Sequence, residues 1–273
     1  MQFSPVTMYQ DKDPLRPDPP QGAATPRRHT VSAFDGDLIG VVTQTARVGG
    51  LAEELVSHAL ASLGRGGGAA AADLAHARAL RERLRRLERE AGDRAAQVLA
   101  LRQPVAADLR LLLAALRVTA ALGRCGDLGL SIVEGAARHG VAPNDLPDDL
   151  DPALRRFGLR ALSQLGQALS AFQGRDAEAA RAVWRRDDEL DAHFAALSDT
   201  VLSRMAEGPE RVSPGAQRLF IAKNLERIGD HCTHIAEMTY YVVEGEPLTA
   251  ERPRGPRGYG NEVEHSDDDA PAT

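Results

Sequence analysis

The stretch Lys223-Asn224-Leu225-Glu226-Arg227-Ile228-Gly229-Asp230-His231 decides the reading of this chain. Leu225, Ile228, Cys232 and Ile235 recur at three, four and three, which is one face of an α-helix. Glu226 and Asp230 lie one turn apart on a second face. A like-charged pair at that spacing costs a helix a few tenths of a kcal/mol, roughly, so it invites a reason.

A second copy of the pattern stands earlier in the chain. Leu122-Gly123-Arg124-Cys125-Gly126-Asp127 aligns on it with Gly126-Asp127 over Gly229-Asp230, and the same register pairs Leu122 with Leu225, Arg124 with Arg227, Ile132 with Ile235 and Glu134 with Glu237. Repetition at matched points of two halves marks an internal repeat of one structural unit. A glycine inside a helix costs about 1 kcal/mol against alanine, so its presence at both positions points to close helix crossings.

Outward from these helices the period of three and four continues, broken at Gly, Pro and Asn clusters. The spacing predicts six helices, over about Ser32–Leu63, Asp73–Leu101, Val105–Arg138, Pro152–Phe172, Asp176–Met205 and Pro214–Val243. Gly64-Arg65-Gly66-Gly67-Gly68 and the alanines running to Asp73 read as a linker, and His139 to Pro147 as the boundary between halves. The expected fold is all-α, two tandem three-helix bundles over 31–140 and 150–244 with an internal pseudo-twofold repeat. The Pro-rich segment 1–30 and the segment 245–273, with Asp267, Asp268 and Asp269, are expected to be disordered tails. Trp184, Phe194, Phe220, Leu225, Ile228 and Ile235 are expected to line the second-half core, and Leu109, Leu112, Leu116 and Leu122 the first.

Composition narrows the function. The chain has 273 residues, enough for a sizeable core, and only 4% are aromatic, which argues against a β fold. A net charge of -6 disfavours a nucleic-acid binder and an anionic membrane surface. Cys125 and Cys232 form no disulfide framework, and no apolar run has transmembrane length, which leads us to expect a cytoplasmic protein. Nucleophile elbows, Walker loops, dinucleotide turns and zinc helices are all missing, so no catalytic residue is expected.

The fifth expected helix carries Arg185-Arg186-Asp187-Asp188-Glu189-Leu190-Asp191, so Asp187 and Asp191 form a second acidic pair. Facing the Glu226–Asp230 pair across a bundle, they would supply hard oxygen ligands suited to a divalent or iron-type metal. His234 and Glu237 continue that face. The same acids also fit a solvated surface neutralised by Arg185, Arg186, Lys223 and Arg227. The arginine-rich run from Arg78 to Arg89 reads either as a basic patch for an anionic partner or as a solvated face balanced by Glu82, Glu88 and Glu90.

Taken together, the sequence resembles the PhoU family. The resemblance rests on Phe34-Asp35 through Gly49-Gly50-Leu51-Ala52-Glu53-Glu54, on Arg102-Gln103-Pro104-Val105-Ala106-Ala107-Asp108-Leu109-Arg110, on Leu122 to Asp127, and on Leu225 to His231 running on to Ile235-Ala236-Glu237. It implies a cytoplasmic, non-catalytic protein, often dimeric, that represses phosphate uptake and the phosphate-starvation response. Its partners would be the ATPase of the phosphate importer and a phosphate-sensing histidine kinase, with the membrane reached only through them. It also implies metal binding by acidic pairs of each half, carried here by Asp187, Asp191, Glu226 and Asp230. The first half departs: Gly123 replaces the expected Glu, Arg81 and Arg85 stand where acids are expected, and Asp127 alone remains. The expectation is one metal site at most. A carboxylate-bridged metal store or metalloenzyme is the alternative reading.

Overall fold

Runs rich in Ala, Leu and Arg become long helices because these side chains lose little freedom there. The structure, a computed structural model, describes residues 32–63, 68–139 and 150–248. Among them are α1 (Ser32–Ser62), α2 (Gly68–Arg102), α3 (Ala106–His139), α4 (Leu150–Gly174), α5 (Ala177–Arg185), α6 (Asp187–Met205), a 3-10 turn (Pro209–Arg211) and α7 (Val212–Glu244), and no strand. The tail expected over 1–30, residues 249–273 of the tail expected over 245–273, and 140–147 of the boundary expected at His139 to Pro147 lie outside the described residues.

Several expectations change. The glycine tract is a shorter linker than its composition indicates, because Gly68 to Asp73 already belong to α2. The expected fifth helix is two helices, broken at Arg186. The Arg186 amide donates to Val183 O at 3.2 Å in a tightened last turn, and Asp187, Asp188 and Glu189 then open α6 as an acidic first turn, where negative charge meets the positive end of the helix dipole. Phe220 is 47% exposed rather than core, resting on Gly135, because it stands one residue out of phase with the buried stripe Arg218, Ile221, Ala222, Leu225, Ile228. Leu109, Leu116 and Phe194 are only partly buried, and Leu248, within the expected tail, packs against the core.

Helix ends follow their local chemistry. Asp176 caps α5 by accepting from the Ala179 amide at 2.9 Å. Gly245, at φ 83°, ends α7 in the left-handed region and donates to Tyr241 O at 3.0 Å. Between α2 and α3 the turn Gln103-Pro104-Val105 holds Gln103 and Ala106 at φ 47° and 51°, so α3 begins after the proline's own turn.

α1, α2 and α3 pack as one bundle and α4, α5–α6 and α7 as the other, joined chiefly along α3 and α7 with a second seam between α1 and α4. One apolar core runs through both: Leu55, Leu112, Leu122, Leu165, Leu225, Ile228 and Ile235 are all fully buried within it, each contributing about 1.5–3 kcal/mol of burial. The repeat is visible in the crossings. A Cβ on Gly126 would lie 2.2 Å from Leu84 Cδ2, and one on Gly229 would lie 2.2 Å from Leu190 Cδ2. Both glycines therefore serve one purpose, admitting a leucine from the neighbouring helix. At the far end of the second bundle the buried Arg218 forks onto Asp151 at 2.8 and 3.1 Å, tying the start of α7 to the start of α4.

Candidate metal centre

The break at Arg186 sets the site. Restarting the helix at Asp187 turns Asp187 and Asp191 toward α7, where Leu190 seats on Gly229 and brings the two helices close. Carboxylate oxygens of Asp187, Asp191 and Asp230 then lie within 4.8 Å of one another. Asp187 is buried, while Asp191 and Asp230 stand nearer the surface.

Glu226, the fourth expected ligand, flanks this trio. Its Oε1 accepts from Lys223 Nζ at 2.7 Å, and Lys223 in turn lies 5.2 Å from the Phe194 ring centre. Its Oε2 is buried with no hydrogen-bond partner, a costly state for a carboxylate oxygen that a cation would relieve. Asp188, which the spacing of acidic pairs passes over, adds its field to Asp191. Its place at the start of α6 becomes apparent only once the helix break is known.

Electrostatics follow the crowding. Burial, with the charges of Glu226 and Asp191, pushes the Asp230 carboxyl up to about 6. Burial, with Glu226 and Asp188, also raises Asp191, opposed by Lys223. Carboxylates that resist ionising together are what a bound cation would relax. The donor set is wholly oxygen, which fits a hard divalent or iron-type ion.

The neighbouring candidates are otherwise engaged. His234 Nδ1 pairs with Glu237 Oε2 at 3.7 Å, and Glu237 Oε1 accepts from Trp184 Nε1 at 3.4 Å. Burial and the nearby Arg227, His234 and Arg124 hold His231 below its ordinary value. Cys232 is fully buried, and burial raises its thiol far above the usual range, as befits a small core residue.

In the first half the matching positions on α2 carry the opposite charge. Arg81, 6% exposed, donates from Nε to Asp127 Oδ1 at 2.6 Å and from Nη1 to Glu88 Oε2 at 2.7 Å. Arg85 stands 3.8 Å from Asp127. The run from Arg78 to Arg89 is thus partly consumed by ion pairs, Arg78 with Glu134 at 3.1 Å among them.

The family model for the PhoU domain matches twice, over residues 45–136 and 154–239. The phosphate-specific transport system accessory protein PhoU homolog of Caulobacter vibrioides is 36% identical over 226 residues, covering 83% of this chain and 96% of that one. The homolog of the same description from Rhizobium meliloti is 36% identical over 229 residues, covering 83% and 93%. Among solved structures, PhoU from Pseudomonas aeruginosa superposes with a TM-score of 0.71 at 27% identity, over 78% of this chain and all of that one. The phosphate transport system regulatory protein PhoU from Streptococcus pneumoniae gives 0.71 at 25% identity, over 80% of this chain.

Proposed function

The chain belongs to the PhoU family, and from that premise we propose that it is a negative regulator of phosphate uptake and of the phosphate-starvation response. A part in regulating phosphate transport follows from relatives that are phosphate-specific transport accessory proteins over most of their length. The finer reading is a cytoplasmic, homodimeric adaptor that contacts the phosphate importer ATPase and a phosphate-sensing histidine kinase, acting by contact rather than turnover. No helix among the described residues is long and apolar enough to cross a membrane, so contact with the membrane would run through those partners.

The observation that carries the reading is the paired match of both halves to one domain, together with the matched glycine crossings. The metal belongs to the same proposal. Asp187, Asp191, Glu226 and Asp230 would hold a divalent or iron-type ion, which would meet the Glu226 Oε2 that has no hydrogen-bond partner. Asp187, Asp191 and Asp230 would ligate, and Glu226 would exchange Lys223 for the ion or bridge the two. Held this way the ion orders the start of α6 against α7 and shapes the surface offered to a partner.

Deleting the gene and following secreted phosphatase in phosphate-replete medium tests the regulator. Elevated phosphatase that returns to baseline on re-expression is expected, and an unchanged level would count against the reading. Re-expression of an Asp187→Ala/Asp191→Ala/Glu226→Ala/Asp230→Ala chain then asks whether regulation needs the acids. Elemental analysis of protein purified without chelators asks how many ions one chain keeps.

A further inference from the structure

The two halves solve one packing problem twice, and the solution sets a register between them. With Leu84 on Gly126 matched to Leu190 on Gly229, Arg81 stands for Asp187, Arg85 for Asp191, Gly123 for Glu226 and Asp127 for Asp230. The first half therefore carries bases on α2 where the second carries acids on α6, and on α3 it keeps Asp127 but has glycine in place of the matching Glu226.

We propose that Arg81 is a resident cation: its guanidinium fills, between α2 and α3, the place that a metal ion would take between α6 and α7. The inference rests on the metal reading of the second half for its comparison, but its argument is internal to the first. Arginine is rarely this buried unless its charge is met, and here two carboxylates meet it at 2.6 and 2.7 Å, Asp127 on α3 at Nε and Glu88 on α2 at Nη1. A metal ion bridging two helices would be held in the same way, by anions converging from both.

Gly123 belongs to the same arrangement. A Cβ at that position would lie 1.6 Å from Glu88 Oε1. The loss of the side chain at 123 opens the room into which Glu88 reaches, so the carboxylate absent from α3 is replaced by one supplied from α2. Glycine at 123, Glu88 and Arg81 thus form one arrangement, in which the space left on α3 holds the carboxylate that meets the guanidinium.

Charge balance separates the halves further. Asp127 and Glu88 are answered by Arg81, with Arg85 and Arg124 at 3.8 and 3.7 Å from Asp127. In the second half Lys223 pairs with Glu226, and Lys223 and the more remote Arg227 oppose the crowding of charge at Asp230 without cancelling it. The α2–α3 contact is consequently complete without a metal, while the α6–α7 contact keeps the buried Glu226 Oε2 without a hydrogen-bond partner. One bundle is held at all metal concentrations, and the response to metal is confined to the other.

The test uses the full chain in an Asp187→Asn/Asp191→Asn/Asp230→Asn background, which removes the second-half ligands, with Mn2+ as the probe. This parent should bind no Mn2+ by calorimetry and melt at one temperature in EDTA and in Mn2+. Adding Arg81→Asp, which returns the acid of the other half, should lower the EDTA midpoint by roughly 5 °C or more, install binding of about one Mn2+ per chain, and let Mn2+ recover the midpoint. A variant that melts with its parent, or one destabilised yet indifferent to Mn2+, overturns the proposal. Should the variant not accumulate folded, refolding from urea is the readout: recovery in Mn2+ but not in EDTA is expected, and equal failure in both overturns it. The second-half reading fails separately, as absence of Mn2+ binding by the wild-type chain.

Discussion

Replacing Asp230 by Asn removes a charge that folding makes unwelcome, and the consequence should reverse with pH and with metal. In the metal-free protein the carboxyl is pushed up to about 6 from an ordinary value of 3.8 by burial and by the charges of Glu226 and Asp191. A raised carboxyl means that the folded state keeps a proton the unfolded state has already released. The penalty is therefore absent below the unfolded value, grows as pH rises between about 4 and 6, and is complete above 6. Converted directly, the shift corresponds to about 3 kcal/mol. Asp230 as a residue is exposed, so solvent screening reduces this to about 1–2 kcal/mol. Asp230→Asn should accordingly stabilise the EDTA-treated protein at pH 7.5, raising its thermal midpoint by roughly 2–8 °C for a body of this size. At pH 4 the gain should vanish. With Mn2+ at a hundredfold excess over its Kd the wild type gains about 2.7 kcal/mol by mass action, and the variant, short of a ligand, does not. Thermal unfolding at the two pH values, each with EDTA and with Mn2+, measures all of this. A variant destabilised in EDTA at pH 7.5, or one that gains equally at both pH values, would refute the account of the acidic cluster.

Further outcomes follow from the same geometry. Mn2+ affinity measured by calorimetry should tighten as pH rises from 5 to 7, because the Asp230 carboxyl, pushed up to about 6, must release its proton before it ligates. Gly126→Ala should lower stability by about 1 kcal/mol in urea unfolding, since the Cβ meets Leu84 Cδ2 at 2.2 Å and overpacking outweighs the roughly 1 kcal/mol gained in helix propensity; a stabilised variant would contradict the close crossing. Arg218→Ala should cost about 2 kcal/mol by breaking its fork on Asp151, whose partly exposed side chain softens the loss. Hydrogen exchange should then quicken at the starts of α4 and α7, and unchanged protection there would show that the fork is not what joins them.

Much was legible from periodicity alone. The recurrence of Leu225, Ile228, Cys232 and Ile235 at helical spacing placed α7, and the pairing of Gly126-Asp127 with Gly229-Asp230 exposed the repeat, because helical geometry is local and each residue's face depends only on its neighbours along the chain. The acidic pairs Asp187/Asp191 and Glu226/Asp230 were readable for the same reason. What periodicity does not carry is the rotation of one helix against another. Phe220 belongs in composition to a core but in phase to the surface, and only packing against Gly135 locates it. The break at Arg186 rests on the competition between a continuing helix and an acidic first turn beginning a new one, two locally reasonable outcomes separated by contacts with α7 and α4.

An all-helical chain of two like halves, with both acidic pairs in the second, is written in the residue pattern alone. Which charges meet was decided by the tertiary structure: it brings Asp187, Asp191 and Asp230 within 4.8 Å, hands Glu226 to Lys223, and buries Arg81 between Asp127 and Glu88. The division has one physical reason. A helical face is fixed by bond geometry over a few residues, whereas the distance between two faces is set by the volumes of side chains far apart in the chain, here Leu84 and Leu190 seated in the gaps left by Gly126 and Gly229.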